Sequence, residues 1–252
     1  MLSEERRRAI QQLLSAQKRV LVDDLVRKFG VSPVTIRKDL KILERQGILT
    51  KVHGGAILNQ ALIPDLALTE KERLQAKEKQ RIARRAADLV KEGDVIILDS
   101  GSTTTFIARY LKLKEGLTII TSAVNIATEL AASRNEVILT GGFLQERSFS
   151  LVGPLAEDAI RRMTADRLFL ATNGIDFDVG LTTPSVLEAK VNQLMIRAAA
   201  EVIVVADSTK FGRRSMAVIC DVADVDRIIT DKNVKPECVE KMKLLGVDVI
   251  LV

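Results

Sequence analysis

The residues best suited to chemistry form short polar clusters that follow apolar runs. The stretch LDSGSTTTFIARYL (98–111) places Asp99, Ser100, Gly101, Ser102, Thr103 and Thr104 between an apolar run and a helical pattern. A strand, a glycine flanked by hydroxyls and then a helix make an anion cradle. Glycine lets the backbone approach, hydroxyls donate hydrogen bonds, and the helix N-terminus supplies positive potential. An ordinary strand-to-helix turn capped by Ser100 or Ser102 uses the same residues. The pattern is neither a P-loop nor a dinucleotide fingerprint, so no nucleotide is implied. ITSAVN (120–125) sets Thr121, Ser122 and Asn125 after the next apolar run, and LTGG (139–142) sets Gly141 and Gly142 after a third. A glycine pair also serves a tight turn. Downstream, GIDFDVGLTT (174–183) leads into the helix PSVLEAKVNQLMIRAAA, with Glu188 and Lys190 expected in its second turn. VIVVAD is followed by STKFGRR, where Lys210 is expected to be exposed by the turn, able to neutralise a phosphate or pair with Glu188. Plain surface placement is an equal expectation for these three.

A second constellation sits near the start of the chain. In PVTIRKDLKILERQ, Ile36, Leu40 and Leu43 recur at helical spacing and should face a core. Thr35, Arg37, Lys38 and Lys41 then fall on other faces, with Ser32 as N-cap and Pro33 at the first helical position. An apolar back and a polar, basic front near the N-terminus are what a helix in the major groove requires. Hydroxyls and backbone N–H groups can hold phosphate, and Arg or Lys can reach guanine edges. Lys51 and His53 lie in ILTKVHGGAIL, which alternates and turns at Gly54-Gly55, so they should sit on a two-stranded wing beside that helix. Each residue taken alone fits a solvated surface equally well.

The elements that must position these residues follow from periodicity. Segment 3–16 reads as a helix with Ile10, Leu13 and Leu14 on one stripe, and QKRVLV as a short link. A second helix spans Asp23–Phe29, with acidic residues in its first turn and Gly30 at its end. The helix that opens at Pro33 runs to about Gln46, and Gly47 stops it. Residues 58–69 contain Pro64 and lack periodicity, which makes them a linker. Glu70–Val90 reads as one long charged helix with Leu74, Ile82, Ala86 and Leu89 on its inner face. Seven strands are expected at 95–99, 117–121, 136–140, 167–171, 202–206, 226–230 and 247–252, with helices between most of them. Their continuous β-branched runs imply burial on both faces. The fold class is therefore an N-terminal winged helix-turn-helix (1–57), a linker (58–69) and a C-terminal α/β domain with a largely parallel sheet (70–252).

Composition agrees. Hydrophobic residues are 47% and charged residues 28% of the 252, which excludes a disordered chain. The first sixty residues carry 12 Lys+Arg against 6 Asp+Glu, and the remaining residues carry 26 against 27. The whole positive excess therefore sits in the first unit, as a polyanion partner would favour. No leader-like or membrane-spanning apolar run is present, so a cytoplasmic location without a membrane partner is expected. Cys220 and Cys238 form no metal or redox motif, and neither a metal nor a cofactor is expected.

At this point a family resemblance is apparent. VDDLVRKFGVSPVTIRKDLKILERQGILTKVHGGA strongly resembles the DNA-binding domain of the DeoR family of bacterial sugar-responsive regulators. LDSGSTT, the TGG turn, VGPLAEDAI, GID-x-x-x-GLTT and ADSTKFGRR resemble the sensor domain of the same family. That domain is similar in fold to sugar-phosphate isomerases, amino-sugar-phosphate deaminases and CoA transferases. The resemblance implies a repressor without enzymatic activity. Its partners would be double-stranded operator DNA, held with Ser32, Thr35, Arg37 and Lys38, and a phosphorylated sugar or polyol. Asp99, Ser100, Gly101, Ser102, Thr103 and Thr104 would form the phosphate side of the pocket, and Asn125, Glu188, Lys190 and Lys210 would line the rest. The chain departs from the family's pattern at Ser122, where Asn is frequent. Homo-oligomers, dimers or tetramers, are expected, because helix-turn-helix proteins generally read paired half-sites. The alternative is a sugar-phosphate isomerase or deaminase with a DNA-binding appendage. The C-terminal domain has no histidine, so a carboxylate or a lysine would have to move the proton, a role that Glu188 with Lys210 could fill.

Overall fold

The computed structural model describes residues 3–17, 19–45, 49–52, 54–58 and 66–252. The chain divides into two compact units, Met1–Pro64 and Asp65–Val252.

In the first unit, α1 (Ser3–Gln17), β1 (Arg19–Leu21), α2 (Val22–Phe29) and α3 (Pro33–Arg45) precede the strands β2 (Leu49–Val52) and β3 (Gly55–Leu58). Ile10, Leu14, Leu25, Ile36, Leu40, Leu43 and Leu49 close a single small core. Gly30 adopts φ 64° and returns its N–H to the Val26 carbonyl, which ends α2. The wing has three strands, in the order β1-β3-β2 and all antiparallel, rather than the expected two. The link QKRVLV supplies the third. Its Val20 carbonyl packs against Gly55, where a Cβ would collide with it. A three-residue strand is too short for its period to be read from sequence.

The second unit opens with α4 (Leu68–Arg73) and α5 (Ala76–Asp88). The single helix expected over 70–90 is thus broken. Leu74 is extended and Gln75 is left-handed at φ 53°, and Leu74 is 53% exposed instead of facing inward. Both α4 and α5 carry helix-forming residues, and nothing in their composition marks the break. There follow β4 (Val95–Leu98), α6 (Ser102–Leu111), β5 (Glu115–Thr121), α7 (Val124–Leu130) and β6 (Arg134–Leu139). A hairpin of β7 (Phe143–Gln145) and β8 (Ser150–Val152) leads to α8 (Pro154–Arg161) and β9 (Ala165–Leu170). Next come β10 (Gly174–Asp176), β11 (Gly180–Thr183), α9 (Val186–Ala198) and β12 (Ala199–Val205). The chain closes with β13 (Ala217–Cys220), β14 (Arg227–Thr230), α10 (Pro236–Leu244) and β15 (Asp248–Leu251).

All seven expected strands join one sheet, in the order β15-β14-β12-β9-β4-β5-β6, and every pairing in it is parallel. Successive residues of one strand enter different cores. Ile97, Leu168 and Val204 pack on one face, and Ile96, Phe169 and Ile203 on the other. This double burial is why the strands read as unbroken apolar runs. From β4 the order runs outward in both directions, so the chain changes direction between β4 and β9. A crevice opens at such a switch point, beyond the carboxyl ends of the strands.

Candidate functional site

Two regions bring the candidate residues together, one in each unit. In the first, the Ser32 hydroxyl accepts from the Thr35 backbone N–H at 3.2 Å and lies 3.0 Å from the Thr35 hydroxyl. The cap fixes the start of α3. Arg37, Lys38 and Lys41 are exposed on one side, while Ile36, Leu40 and Leu43 are buried on the other. Asp39 is buried as well, and its carboxylate meets the Arg6 guanidinium at 2.6 Å and that of Arg7 at 3.6 Å. This pair pins α1 to α3. The sequence carries its signal, since Asp39 falls three residues after Ile36 and so on the inner face. On β2, the Lys51 N–H donates to Glu44 at 3.0 Å and the Lys51 ammonium lies 3.4 Å from the same carboxylate. The backbone donor, aided by the ammonium, holds the Glu44 carboxyl below its usual range. Lys51 is therefore engaged within the unit, although its head remains in water. His53 lies outside the described residues, as do Gln46 and Gly47, where the sequence pattern predicts the end of α3, and most of the linker.

In the second unit a polar pocket occupies the crevice between β4 and β9. Asp99, Ser100, Gly101, Ser102 and Thr103 line it from the end of β4, Thr172 and Asn173 from the end of β9, and Lys210 from the turn after β12. Ser148, Thr183, Glu188 and Asn192 close one side, and Leu68 and Lys71 of α4 form another wall. Gly101 is required here by close approach. A Cβ on it would sit 2.8 Å from the Ala171 Cβ.

Asp99 is buried, and it accepts the N–H groups of Ser100 at 2.7 Å and Ala171 at 3.1 Å. Burial nevertheless lifts its carboxyl to about 7; these two donors oppose the rise and the nearby charge of Glu188 adds to it. Glu188 takes hydroxyl hydrogen bonds on both carboxylate oxygens, one from Ser148 and one from Thr183 at 3.1 Å. Hydroxyls, rather than Lys210, are thus its partners. Lys210 is half-buried, not exposed as its turn suggested, and burial lowers its pKa while Asp207 opposes the shift. The Ser185 hydroxyl accepts the Glu188 N–H at 3.3 Å, so α9 starts at Val186 and Glu188 falls in its first turn, not the second.

Other expected residues stand behind the pocket or away from it. The Thr104 hydroxyl donates to the Gly101 carbonyl at 2.9 Å, as does Thr105 at 2.7 Å, and Asn125 donates to Thr105 at 2.8 Å. Asn125 therefore braces the cradle from behind. Thr121 is buried and bridges the Leu98 carbonyl and the Ala123 N–H, at 2.7 and 3.0 Å. Ser122 lies against Ser150, 3.4 Å between hydroxyls. Gly141 and Gly142, at φ 76° and 121°, form a turn packed on β8, not a pocket wall. Lys190 points outward and bridges to Glu157 on α8 at 3.0 Å. Lys71, Ser148, Asn173 and Asn192 line the pocket without having been expected. Asn173 follows a strand end, and Asn192 lies one helical turn beyond Glu188, so both had a spacing signal; Lys71 and Ser148 had none. A further surprise is Lys79 of α5, which is 2% exposed and donates to the Lys71 carbonyl. Burial pushes its ammonium down to about 8, with Asp207 opposing.

Comparison with known proteins joins the two regions. Residues 6–61 match the profile of the DeoR-like helix-turn-helix domain, and residues 74–232 that of the DeoR C terminal sensor domain. The chain is 38% identical over 250 residues to the HTH-type transcriptional regulator GlpR of Haloferax volcanii, covering 99% of this chain and 98% of that one. It is 32% identical over 232 residues to the glycerol-3-phosphate regulon repressor of Escherichia coli K12, covering 92% of each. Among solved structures, a D-ribose-5-phosphate isomerase in complex with phospho-erythronic acid aligns with 54% of each chain at 15% identity and a TM-score of 0.41.

Proposed function

The chain belongs to the DeoR family of helix-turn-helix transcriptional regulators, and from that premise we propose that it represses a sugar uptake or catabolism operon under the control of a phosphorylated sugar or polyol. The observation that carries this reading is the pocket at the switch point of the sheet. Its floor is an anion cradle, Ser100–Thr103, at the N-terminus of α6. Its walls hold Lys71 and Lys210, for a charged group, and Glu188, Asn173 and Asn192, which suit the hydroxyls of a polyol. In the first unit, Arg37, Lys38 and Lys41, with the capped start of α3 at Ser32 and Thr35, supply the face that meets operator DNA. Lys51 on β2 extends it along the wing, and His53, which lies outside the described residues, is proposed as a further contact. Two copies would read paired half-sites, so the protein acts as a dimer or tetramer.

An isomerase reading fits this site less well. Hydroxyl hydrogen bonds to both Glu188 oxygens fix the carboxylate in place, which suits a group that holds a ligand better than one that carries a proton between two carbons. The test is a mobility shift on the DNA upstream of the protein's own gene, with a panel of sugar and polyol phosphates. One of them should alter the shift. Arg37→Ala should weaken DNA binding about tenfold or more and reduce the salt slope by about one, while the ligand still raises the melting temperature. Unchanged DNA affinity in that variant would refute the role given to α3.

A further inference from the structure

α4 is a pocket wall with little support of its own. It is six residues long (Leu68–Arg73), too short for a helix to persist by its own hydrogen bonds. The extended Leu74 and left-handed Gln75 cut its ladder from that of α5. Its Leu68 side chain is buried, and two hydrogen bonds to its backbone tie its ends to other parts of the unit. At its start the Leu68 N–H donates to the Arg147 carbonyl at 2.8 Å. At its end the Lys71 carbonyl receives the buried ammonium of Lys79. A further tie, Glu72 to Arg109 at 3.7 Å, is partly exposed and weak. Lys79 sits on the apolar face of α5 among Ile82, Ala83 and Ala86. A lysine there is costly unless it does something an apolar residue cannot.

Burial is the main cause that lowers the pKa of Lys79 and of Lys210; Asp207 opposes the shift at both, and the nearby charge of Lys71 adds to it. Lys71 of α4 and Lys210 line the same pocket, so an anion held by both ties α4 to the turn after β12, and binding of the anion and seating of α4 favour each other by reciprocal linkage.

We propose that α4 is the movable wall of the pocket, and that Lys79 is the positioning residue that seats it when an anionic ligand lies against Lys71 and Lys210. This rests on the reading of the pocket as an effector site. Among the described residues α4 is also the first element after β3 of the DNA-binding unit, so its seating is close in the chain to that unit.

Hydrogen exchange on the full chain tests this, with inorganic phosphate as the probe. In the wild type, phosphate should slow exchange in the cradle (99–104) and in 66–75 together. Lys79→Met should speed exchange in 66–75 about tenfold or more, the effect of losing a hydrogen bond to a charged donor, and leave β4, β9 and β12 unchanged. Lys79→Arg, which keeps a charged donor, should restore part of the protection. Phosphate protection of 99–104 without 66–75 overturns the movable wall and leaves the effector site standing. Protection of neither overturns the effector site. Uniform loosening of the sheet in Lys79→Met, or no loosening of 66–75, overturns the positioning role. If that variant does not fold, the wild-type comparison still decides whether α4 responds.

Discussion

Asp39→Ala should strongly destabilise the DNA-binding unit and leave the sensor unit intact. Arg6 is 7% exposed and Asp39 3% exposed, and their contact at 2.6 Å is what compensates the buried guanidinium. Removing one partner of a buried pair costs roughly 3–5 kcal/mol, because the other charge is left without compensation. Arg7, at 3.6 Å and more exposed, adds less than about 1 kcal/mol. A unit of about sixty residues has a stability of only roughly 3–9 kcal/mol. The substitution therefore removes between a third and all of it. At about 4–8 °C per kcal/mol for a unit of this size, its melting should fall by more than about 10 °C.

The measurement is calorimetry of the full chain, in which each of the two compact units should give its own transition. Only the transition of the smaller unit should move. Arg6→Met combined with Asp39→Leu removes both charges and should recover most of the loss, since apolar replacement of a buried pair is often neutral or stabilising. A shift below about 1 kcal/mol in Asp39→Ala, or a double variant no better than the single one, would refute the assignment of the pair as the pin between α1 and α3.

Gly101→Ala should destabilise the sensor unit by about 1–3 kcal/mol and abolish the ligand-dependent rise in its melting temperature. The added methyl meets the Ala171 Cβ at 2.8 Å and the Thr104 hydroxyl at 3.3 Å, with no flexible side chain to give way; a normal ligand response would contradict the cradle. Asp99, whose carboxyl is raised from 3.8 to about 7, should make the sensor unit less stable as pH rises. The sign follows from the proton, which the folded state holds more tightly than the unfolded chain. Asp99's contribution is fully present below about pH 4, declines to about pH 7 and is flat above. Urea titrations of the wild type and Asp99→Asn at pH 4, 5.5 and 8 should show that trend in their difference, and a pH-independent difference would exclude it.

Much of this organisation was legible in the sequence, and for a physical reason. Strands buried on both faces write themselves as unbroken apolar runs, so all seven strands of the parallel sheet were readable from Val95 to Val252. Caps are equally local, and Ser32, Gly30 and the basic face of α3 could be read from nearest neighbours. What could not be read depends on contacts distant in sequence. β1 exists because Gly55 lets Val20 approach. The break at Gln75 carries no glycine or proline. Lys79 occupies a position where periodicity calls for an apolar residue, and only the fold shows the Lys71 carbonyl and Asp207 near it. The pocket was half legible for the same reason. Residues after strand ends could be listed in advance, but Thr121, Asn125 and Lys190 turned out to serve the backbone, the neighbouring helix or the surface.

The separation of the two faces of α3 has a consequence for how such proteins diverge. Ile36, Asp39, Leu40 and Leu43 hold the helix in place, and Arg37, Lys38 and Lys41 project from the opposite side. On the proposal that those outward residues meet the operator, a duplicated copy can exchange them one at a time and acquire a new target sequence without any compensating change in its core. The pocket offers no such freedom. Gly101, Thr105, Asn125, Asp99 and Glu188 each brace or are braced by another residue, so a new ligand demands several changes at once. Target choice in this architecture drifts by single steps, whereas ligand choice moves by coordinated ones.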